Sequence, residues 1–368
     1  MPRPRSPFPA APSVPVKGRG AASNRSGRFE RFAYVPEDDG WDASDEEAPK
    51  LETILTRDSS RSVIVRQNSP DISMKQTLNP YRGCEHGCIY CFARPSHTYL
   101  GFSAGLDFES RIQFKEDVAS LLEKELAHPK YNSKPILIGA NTDAYQPTEK
   151  ILRLTRSVLD VCARWNQPIG LITKSALIAR DIDILAPMAG KNLAKAAISI
   201  TTLNRTLARK MEPRAATPQR RLDAIKALSE AGVPVTVMTA PIVPGLTDHE
   251  LESILEAAAK AGATSAGFVA LRLPYEIADL FQEWLSGAYP DRAQKVLNLI
   301  RQMRGGKLYD SRWGERMTGT GAWAHLIAQR FRRACNEFGL NQRRRTYDLS
   351  RFGPPDGFSR QSGQYSLF

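Results

Sequence analysis

Alternating apolar runs and helical patterns constrain the fold of this 368-residue chain more than any other feature of its sequence. Five runs rich in β-branched residues occur at positions 135–139, 168–172, 197–200, 233–238 and 267–271. Near-continuous apolar runs of this length are typical of strands in a parallel sheet that is covered on both faces. With a first strand near residues 78–82, the pattern predicts six β–α units in a barrel-like α/β fold.

Helix boundaries in the sequence support this alternation. Thr217-Pro218 predicts one helix start and Gly232 its end. Thr148 predicts another start, and the apolar stripe of that helix comprises Ile151, Leu154, Val158 and Cys162. Thr247 and Glu250 predict a capping box before a third helix. Beyond residue 275 the pattern is helical, over 275–286, 291–304 and 322–338.

Three cysteines lie in one short loop directly after the first predicted strand. Cys84, Cys88 and Cys91 have the spacing C-x-x-x-C-x-x-C, and Tyr90 and Phe92 flank the third of them. Thiolates this close bind soft metals, and each iron of a [4Fe–4S] cluster needs one outer ligand. No fourth cysteine lies nearby, so one iron of such a cluster would stay open. An open coordination site is typical of a catalytic metal centre.

Other interpretations of this loop remain open at the level of sequence. His86 or His97 could complete a zinc site with the three thiolates. An electron-transfer cluster would normally have four cysteine ligands. A disulfide framework does not fit five cysteines in a chain of this length without a secretion signal. Cys162 and Cys335 lie on apolar helix stripes and are predicted to pack in the core.

The loop and its flanks, residues 79–83 and 92–97, resemble the cluster loop of radical S-adenosylmethionine (radical SAM) enzymes, in the branch that includes spore photoproduct lyase. The resemblance covers about residues 70–275. It implies a partial (β/α)₆ TIM-type barrel with a [4Fe–4S] cluster on Cys84, Cys88 and Cys91. It also implies SAM as the second cofactor, an electron donor such as a flavodoxin or ferredoxin, and release of a 5′-deoxyadenosyl radical that abstracts hydrogen from a substrate.

Polar residues that follow the strand ends are the candidates for SAM binding, because catalytic residues of parallel barrels collect there. Asn141 or Asp143 would accept hydrogen bonds from the SAM ammonium, and Lys174 would bind its carboxylate or ribose. The aromatic residues beside the third cysteine would lie near adenine, or only pack the loop. The full set of candidate cofactor-binding residues is Tyr90, Phe92, Asn141, Thr142, Asp143, Lys174, Ser175 and Ser199.

Substrate-contacting residues are predicted in the loop after the second strand. Tyr145 and Gln146 are placed at the barrel mouth, and Tyr145 is the candidate catalytic residue. Spore photoproduct lyase has an additional cysteine in this region, but residues 140–143 contain none. This departure argues against the same reaction unless Tyr145 or a distant thiol substitutes. Arg214 could bind a carboxylate or a substrate phosphate, or form a structural salt bridge.

Positive charge is concentrated near the carboxyl terminus. The chain has a net charge of +12, and residues 301–351 contain twelve of its Lys and Arg residues but only four acidic ones. Such clustering is expected of a surface that binds phosphate backbones, although a solvated basic helix would look the same.

The termini have compositions of their own. Residues 1–60 are predicted to be a disordered arm, and residues 351–368 a flexible tail after a barrel over 61–275 and a basic helical extension over 276–350. In the tail, Gln364, Leu367 and Phe368 resemble the peptide by which polymerases and repair proteins bind the sliding clamp. No secretion signal or membrane span is found, so a cytoplasmic location is expected.

These observations predict a cytoplasmic radical SAM enzyme with an α/β partial barrel. The enzyme is predicted to act on nucleic acid, with DNA repair as a candidate role. The same chemistry on RNA, a protein or a metabolite is one alternative. A non-catalytic nucleic-acid-binding protein that uses an iron–sulfur cluster or zinc as a staple is another.

Overall fold

A seven-stranded, mainly parallel sheet forms the centre of the computed structural model, which describes residues 16–29, 51–343 and 345–355. The strand order is β10-β9-β8-β7-β6-β3-β2, and a second sheet has the order β1-β5-β4. The strands are β1 Ile54–Arg57, β2 Ile64–Arg66, β3 Gln76–Leu78, β4 Tyr81–Arg82, β5 Arg111–Phe114, β6 Ile136–Ile138, β7 Ile169–Thr173, β8 Ala194–Ser199, β9 Val235–Ile242 and β10 Ser265–Ala270.

Helices cover the sheet and form the carboxyl-terminal extension. The α-helices are α1 Leu106–Ser110, α2 Val118–Ala127, α3 Glu149–Leu152, α4 Leu154–Arg164, α5 Ile182–Gly190, α6 Arg205–Met211, α7 Pro218–Glu230, α8 Leu251–Lys260, α9 Ile277–Ala288, α10 Pro290–Gln302, α11 Glu315–Thr318 and α12 Gly321–Glu337. Short 3₁₀-helices occupy Arg94–Leu100, Ala176–Asp181 and Asp248–Glu250.

The prediction of six β–α units is confirmed. The strands β3 and β6 to β10 pair in parallel and in chain order, while β2 pairs with β3 in the antiparallel sense. No pairing joins β10 to β2 among the described residues, so the sheet is a partial barrel that stays open. Its apolar side chains, with those of the covering helices, form one large buried cluster that also contains Cys162 and Cys335.

Two predicted helix features differ from the structure. The helix predicted from Thr148 is interrupted at Arg153, which has a φ of 51°, and Ile151 is 80% exposed instead of lying on a buried stripe. The buried Glu149 carboxylate explains the break, because it accepts a hydrogen bond from Thr155 N at 3.0 Å and so satisfies the start of α4.

The predicted capping box at Thr247 does not form. Thr247 Oγ1 instead accepts from Val243 N at 2.9 Å, and the Glu250 carboxylate accepts from Leu203 N at 2.6 Å. Both side chains therefore bind neighbouring loops. The predicted cap at Thr217 is confirmed, since its side chain accepts from Arg220 N.

Part of the segment expected to be disordered is packed on the domain. Residues 16–29 cross the loop that carries the cysteines, where Ala21 is buried, and Ile54–Arg57 pairs with β5. Composition predicted disorder because these residues have little apolar surface of their own, but backbone hydrogen bonds to side chains of the barrel hold them. Residues 1–15 and 30–50, and the clamp-like Gln364, Leu367 and Phe368, lie outside the described residues.

The carboxyl-terminal extension is helical, as predicted, and closes the amino-terminal ends of the strands. Asn341 N donates to Thr264 O just before β10, and Asp348 N donates to Asn192 O just before β8. The exposed Arg343 and Arg345 lie between these two attachment points. No helix within the described residues is long and apolar enough to cross a membrane.

Candidate active site

The three cysteines lie together in a tight loop between β4 and the 3₁₀-helix Arg94–Leu100, at the carboxyl ends of the parallel strands. Gly87 N donates to Cys84 O at 3.3 Å, and Cys91 N donates to Cys88 O at 3.1 Å. Burial first, then Asp143 and the neighbouring Cys88 and Cys91, raise the pKa of Cys84 well above its usual value. A bound cationic metal would favour the thiolate form instead.

Gln146 holds the first turn of this loop. Its Oε1 accepts from Glu85 N at 2.9 Å, and its Nε2 donates to Gly83 O at 3.3 Å. Glu85 in turn accepts from Thr148 N at 2.6 Å. Gln146, a predicted substrate contact, is fully buried, and both ends of its amide are hydrogen-bonded to the loop backbone.

Arg94 and Glu109 hold the second turn, and both are fully buried. Arg94 Nε donates to Cys88 O at 2.9 Å, and its Nη2 lies 2.5 Å from Glu109 Oε1. The same carboxylate accepts from Gly20 N at 2.9 Å and from Ala21 N at 2.8 Å. The amino-terminal segment is thus fastened to the ion pair that supports the cysteine loop.

The contact between the amino-terminal segment and the cysteine loop depends on the close approach of two glycines, Gly20 and Gly87. A Cβ at Gly20 would lie 1.8 Å from Gly87 O, a distance that no side chain can tolerate. Gly87 has a φ of 67°, and a Cβ there would meet Glu109 Oε2 at 2.6 Å. The loop and residues 16–29 therefore fit together only where both positions lack side chains.

Asp143 organises the end of β6, because each carboxylate oxygen accepts hydrogen bonds. Oδ1 accepts from Tyr145 N at 2.9 Å and from Thr173 Oγ1 at 2.6 Å, and Oδ2 accepts from Lys174 N at 2.8 Å. His86 Nδ1 lies 3.3 Å from Oδ2. Burial alone would raise the pKa of Asp143, but His86 and these donors hold it well below its usual range.

Asn141 and Thr142 differ in whether their side chains keep a polar atom free to bind a ligand. Thr142 is buried and donates to Tyr81 O at 2.8 Å, so its hydroxyl is committed to the backbone. Asn141 Nδ2 donates to Ser96 Oγ at 3.3 Å, and Asn79 Oδ1 accepts from Asn141 N at 2.9 Å. Within the part of the chain that the structure describes, the Asn141 amide oxygen has no donor.

A buried polar network lies beneath the loop on the side of β8. Glu212 accepts from the Tyr90 hydroxyl, from Thr201 Oγ1 at 2.6 Å and from Arg221 Nη2. Burial would raise the pKa of Glu212, but Arg221 and Lys174 outweigh it and lower the pKa to about 2. Glu212 is therefore a fixed anion that orients Tyr90.

Lys174 points at the Tyr90 ring, with its Nζ 5.7 Å from the ring centroid. Burial opposes its charge, but the Cys88 thiol and Glu212 raise its pKa. Its ammonium donates no hydrogen bond within the part of the chain that the structure describes. A cation held this way beside the cysteine loop can accept an anionic group of a ligand.

The remaining predicted site residues have structural roles or lie at the edge of the site. Ser175 Oγ caps the 3₁₀-helix Ala176–Asp181 through Leu177 N at 3.2 Å, and the buried Ser199 accepts through its carbonyl from Arg221. Phe92 is 47% exposed. The Arg272 guanidinium lies over its ring, 4.5 Å from the Phe92 ring centroid.

Tyr145 is not exposed at the mouth of the barrel, and Arg214 packs against the cysteine loop. Tyr145 is buried in the main core, where burial and then Asp181 raise the pKa of its hydroxyl well above the usual value. Its prediction as a catalytic residue at the mouth therefore disagrees with its position. Arg214 forms a salt bridge to Glu85 at 3.1 Å, the structural alternative considered from the sequence.

The donor set fits a [4Fe–4S] cluster better than a single metal ion. Three thiols lie in one short loop, and no three His, Cys, Asp or Glu side chains among the described residues are grouped as one metal ion requires. His86 faces Asp143, and the ring of His97 is buried against Phe102 and Phe108, so neither histidine completes a zinc site.

Comparison with known proteins identifies the family. The model of the Radical SAM superfamily matches residues 78–258. An uncharacterised protein of Mycobacterium tuberculosis is 35% identical over 237 residues, which are 64% of this chain and 70% of that protein. The chain belongs to the radical SAM superfamily. This membership makes it an enzyme whose cofactors are a [4Fe–4S] cluster and SAM, and it excludes the alternative of a zinc-stapled binding protein.

Other radical SAM proteins are more distant. The radical SAM Nalpha-GlyT isomerase of Pseudomonas phage M6 is 22% identical over 240 residues, 64% of this chain and 48% of that enzyme. A structure of spore photoproduct lyase complexed with dinucleoside spore photoproduct has a TM-score of 0.54 and 17% identity, and covers 78% of this chain and 80% of the lyase. This likeness confirms the fold.

Proposed function

We propose that this radical SAM enzyme acts on nucleic acid, with repair of a damaged strand as its role. The observation that carries the proposed chemistry is the three-thiol loop at the strand ends, with the unpaired ammonium of Lys174 beside it. When bound, the reduced cluster supplies the electron that splits SAM into methionine and a 5′-deoxyadenosyl radical.

The chain's own residues would bind and orient SAM around the cysteine loop. Lys174 would pair with the SAM carboxylate, and the Asn141 amide oxygen would accept from the SAM ammonium. Tyr90, fixed by Glu212, presents its ring to Lys174 and forms a wall of the site. Arg94 and Gln146 hold the loop so that the three thiols keep one geometry.

Charge and fold support nucleic acid as the substrate. The net charge of +12 favours a polyanionic partner, and a lyase of the same fold has a structure complexed with dinucleoside spore photoproduct. The basic stretch that suggested this partner is not one surface, since Arg304 is buried and Arg316 and Arg330 form ion pairs with Asp71 and Glu252.

Anaerobic reconstitution with iron and sulfide tests the proposed chemistry. The reconstituted protein is reduced with dithionite in the presence of SAM, and 5′-deoxyadenosine is quantified with and without a damaged oligonucleotide. A variant with Cys84, Cys88 and Cys91 all changed to Ala is the control. We expect the nucleoside from the wild type alone. A bound cluster without SAM cleavage would contradict the proposed chemistry.

The oligonucleotide arm tests the substrate class. Nucleoside formation that rises with a damaged strand, together with a changed product, supports repair. Cleavage that responds instead to a peptide or a metabolite extract would contradict the nucleic-acid assignment while leaving radical SAM chemistry intact.

Partners and location follow from the same chemistry. We propose a flavodoxin or ferredoxin as the reductant and a reducing, cytoplasmic setting, in which the thiols stay free to hold the cluster. Docking of the sliding clamp by Gln364, Leu367 and Phe368 remains a prediction from sequence.

Lys174 provides a separate test of SAM binding. We expect Lys174→Met to weaken SAM binding by about tenfold or more, because a charge-assisted hydrogen bond is lost. Equilibrium dialysis of SAM against the reconstituted protein measures this without turnover. Lys174→Arg keeps the charge and should retain most of the affinity, while Lys226→Met on the outer face of α7 is the neutral control. Equal affinity for wild type and Lys174→Met would remove Lys174 from the SAM site.

A further inference from the structure

Exposed aromatic side chains gather around the open end of the barrel. Apolar side chains this large are normally buried, and an exposed group of them marks a binding surface. The described residues with large exposed rings, which we call the rim, are Phe29, Phe92, Tyr99, Tyr275 and Trp313. They belong to the amino-terminal segment, the cysteine loop, the 3₁₀-helix Arg94–Leu100 and the segments that follow β10.

Arginines connect the rings of the rim. The Arg28 guanidinium lies 3.8 Å from the centroid of Tyr275 and 5.8 Å from that of Tyr99. Phe29 and Tyr99 have ring centroids 4.8 Å apart. Cation–π contacts of this kind hold the rings in place and leave their other faces to solvent.

The second half of the rim is built in the same way around Arg272, which follows β10. Arg272 covers Phe92 and lies 3.3 Å from Met317 Sδ through its Nη1. Arg316, one residue before Met317, stacks over Trp313 at 3.8 Å. Since Arg272 and Tyr275 are three residues apart, both halves of the rim meet at the end of β10.

Charge pairing distinguishes Arg272 from its neighbours. Arg28 pairs with Glu276 at 2.8 Å, and Arg316 pairs with Asp71 at 2.5 Å. Arg272 has no carboxylate partner among the described residues. It therefore carries an unneutralised positive charge directly beside the cysteine loop, where a bound anion would be stabilised.

Backbone strain at Tyr275 points to the same surface. Tyr275 has a φ of 52°, a left-handed conformation that bulky residues rarely adopt, and its side chain is 65% exposed. No burial of the ring compensates this strain. Strain retained at an exposed position is typical of a functional contact.

We propose that the rim binds an unpaired stretch of nucleic acid, with bases stacked on its exposed rings and a backbone phosphate on Arg272. Rings that project into solvent can stack only on bases that are themselves unstacked, so a single strand or an extruded nucleotide fits and an intact duplex does not. This inference rests on the proposed function and specifies its substrate as an unpaired strand.

Fluorescence anisotropy of the reconstituted protein with a labelled single-stranded oligonucleotide, its duplex and an abasic strand of equal length tests the rim. We expect tighter binding of the single strand than of either competitor. Tyr275→Asn, which tolerates the left-handed backbone, should weaken single-strand binding by about tenfold and have little effect on the abasic strand. Arg272→Gln should weaken both strands by about tenfold and reduce the salt dependence by about one unit of slope.

Two matched controls distinguish binding at the rim from a general effect of exposed charge or exposed apolar surface. Leu326→Ala removes an exposed apolar side chain from α12, and Arg343→Gln removes an exposed arginine from the opposite end of the barrel. Neither should change single-strand affinity. Tyr99→Ala is a second stacking variant that guards against a folding defect in Tyr275→Asn, and thermal unfolding reports the fold of each.

The outcomes distinguish this inference from the proposed function. Duplex binding equal to single-strand binding, or an Arg343→Gln effect as large as that of Arg272→Gln, would overturn the rim assignment. If the rim variants lose single-strand binding but damaged strands never stimulate SAM cleavage, the inference stands and the proposed reaction on nucleic acid fails. If damaged strands stimulate SAM cleavage while Tyr275→Asn and Arg272→Gln bind the single strand normally, the proposed reaction on nucleic acid stands and the rim inference fails.

Discussion

Glu109→Ala is expected to lower the free energy of unfolding by about 3–5 kcal/mol and to abolish cluster retention, because it leaves a buried arginine without its counter-charge. The Arg94 guanidinium and the Glu109 carboxylate are both fully buried, 2.5 Å apart. The carboxylate also accepts from the backbone of Gly20 and Ala21. Its removal would thus release Arg94, the cysteine loop and the amino-terminal segment together.

Urea unfolding and iron content after reconstitution measure the two parts of this expectation. Glu116→Ala is the matched control, since Glu116 forms an exposed ion pair with Arg57 that should contribute less than about 1 kcal/mol. Glu109→Gln keeps an acceptor for one backbone N–H and should be intermediate. A Glu109→Ala protein with wild-type stability and full iron content would show that the ion pair does not support the loop.

Gly20 separates the fastening of the amino-terminal segment from the ion pair itself. Gly20→Val leaves both charges in place, but its side chain cannot fit against Gly87 O. The amino-terminal segment would lift while Arg94 and Glu109 remain paired. A loss of iron in Gly20→Val with a smaller change in unfolding free energy than in Glu109→Ala would assign the segment to the cluster site.

The strands and the cysteine loop could be predicted because their signals are local. Each apolar run became a strand of the parallel sheet, and the spacing of Cys84, Cys88 and Cys91 lies within eight consecutive residues. The helix predicted from Thr148 failed for a reason that is also local but invisible in the apolar pattern. Arg153 adopts a left-handed conformation, which turns Ile151 to solvent.

The supports of the site could not be predicted, because their partners are distant in sequence. Glu109 is 89 residues from Gly20, and Glu212 is 122 residues from Tyr90. The available signal was a charged residue with apolar neighbours, as at Glu212 between Met211 and Pro213, although Lys210 and Arg214 lie only two positions away. Such a charge suggests a buried partner but does not identify it.

Separation in sequence between a side chain and its partners also explains why the residues predicted at the strand ends fall into two groups. Lys174 and Asn141 keep a polar group without a partner among the described residues, whereas Thr142, Asp143 and Ser175 use theirs on nearby backbone. Position at a strand end selects residues near the site, but only the hydrogen-bond partners decide which of them remain available to a ligand.

Arg221→Met is expected to lower the free energy of unfolding by about 3–5 kcal/mol, because it leaves the buried Glu212 carboxylate without its counter-charge. The double variant Glu212→Gln with Arg221→Met should recover much of that loss, because both charges are then absent. Failure of the double variant to recover any stability would show that packing, and not the unpaired charge, causes the loss. Because Tyr90 donates to Glu212, SAM binding should weaken in both variants.

Acid titration gives an independent measure of the Glu212 anion. Its pKa is lowered from 4.5 to about 2, so the stability that it contributes is complete above about pH 4.5 and is lost as the pH falls toward 2. A shift of this size corresponds to a contribution on the order of 3 kcal/mol. Glu212→Gln removes the titrating group, so its unfolding free energy should change less between pH 5 and pH 3 than that of the wild type. Parallel pH profiles for the two proteins would mean that the buried carboxylate is not held as an anion, and its orientation of Tyr90 toward Lys174 would then need another source.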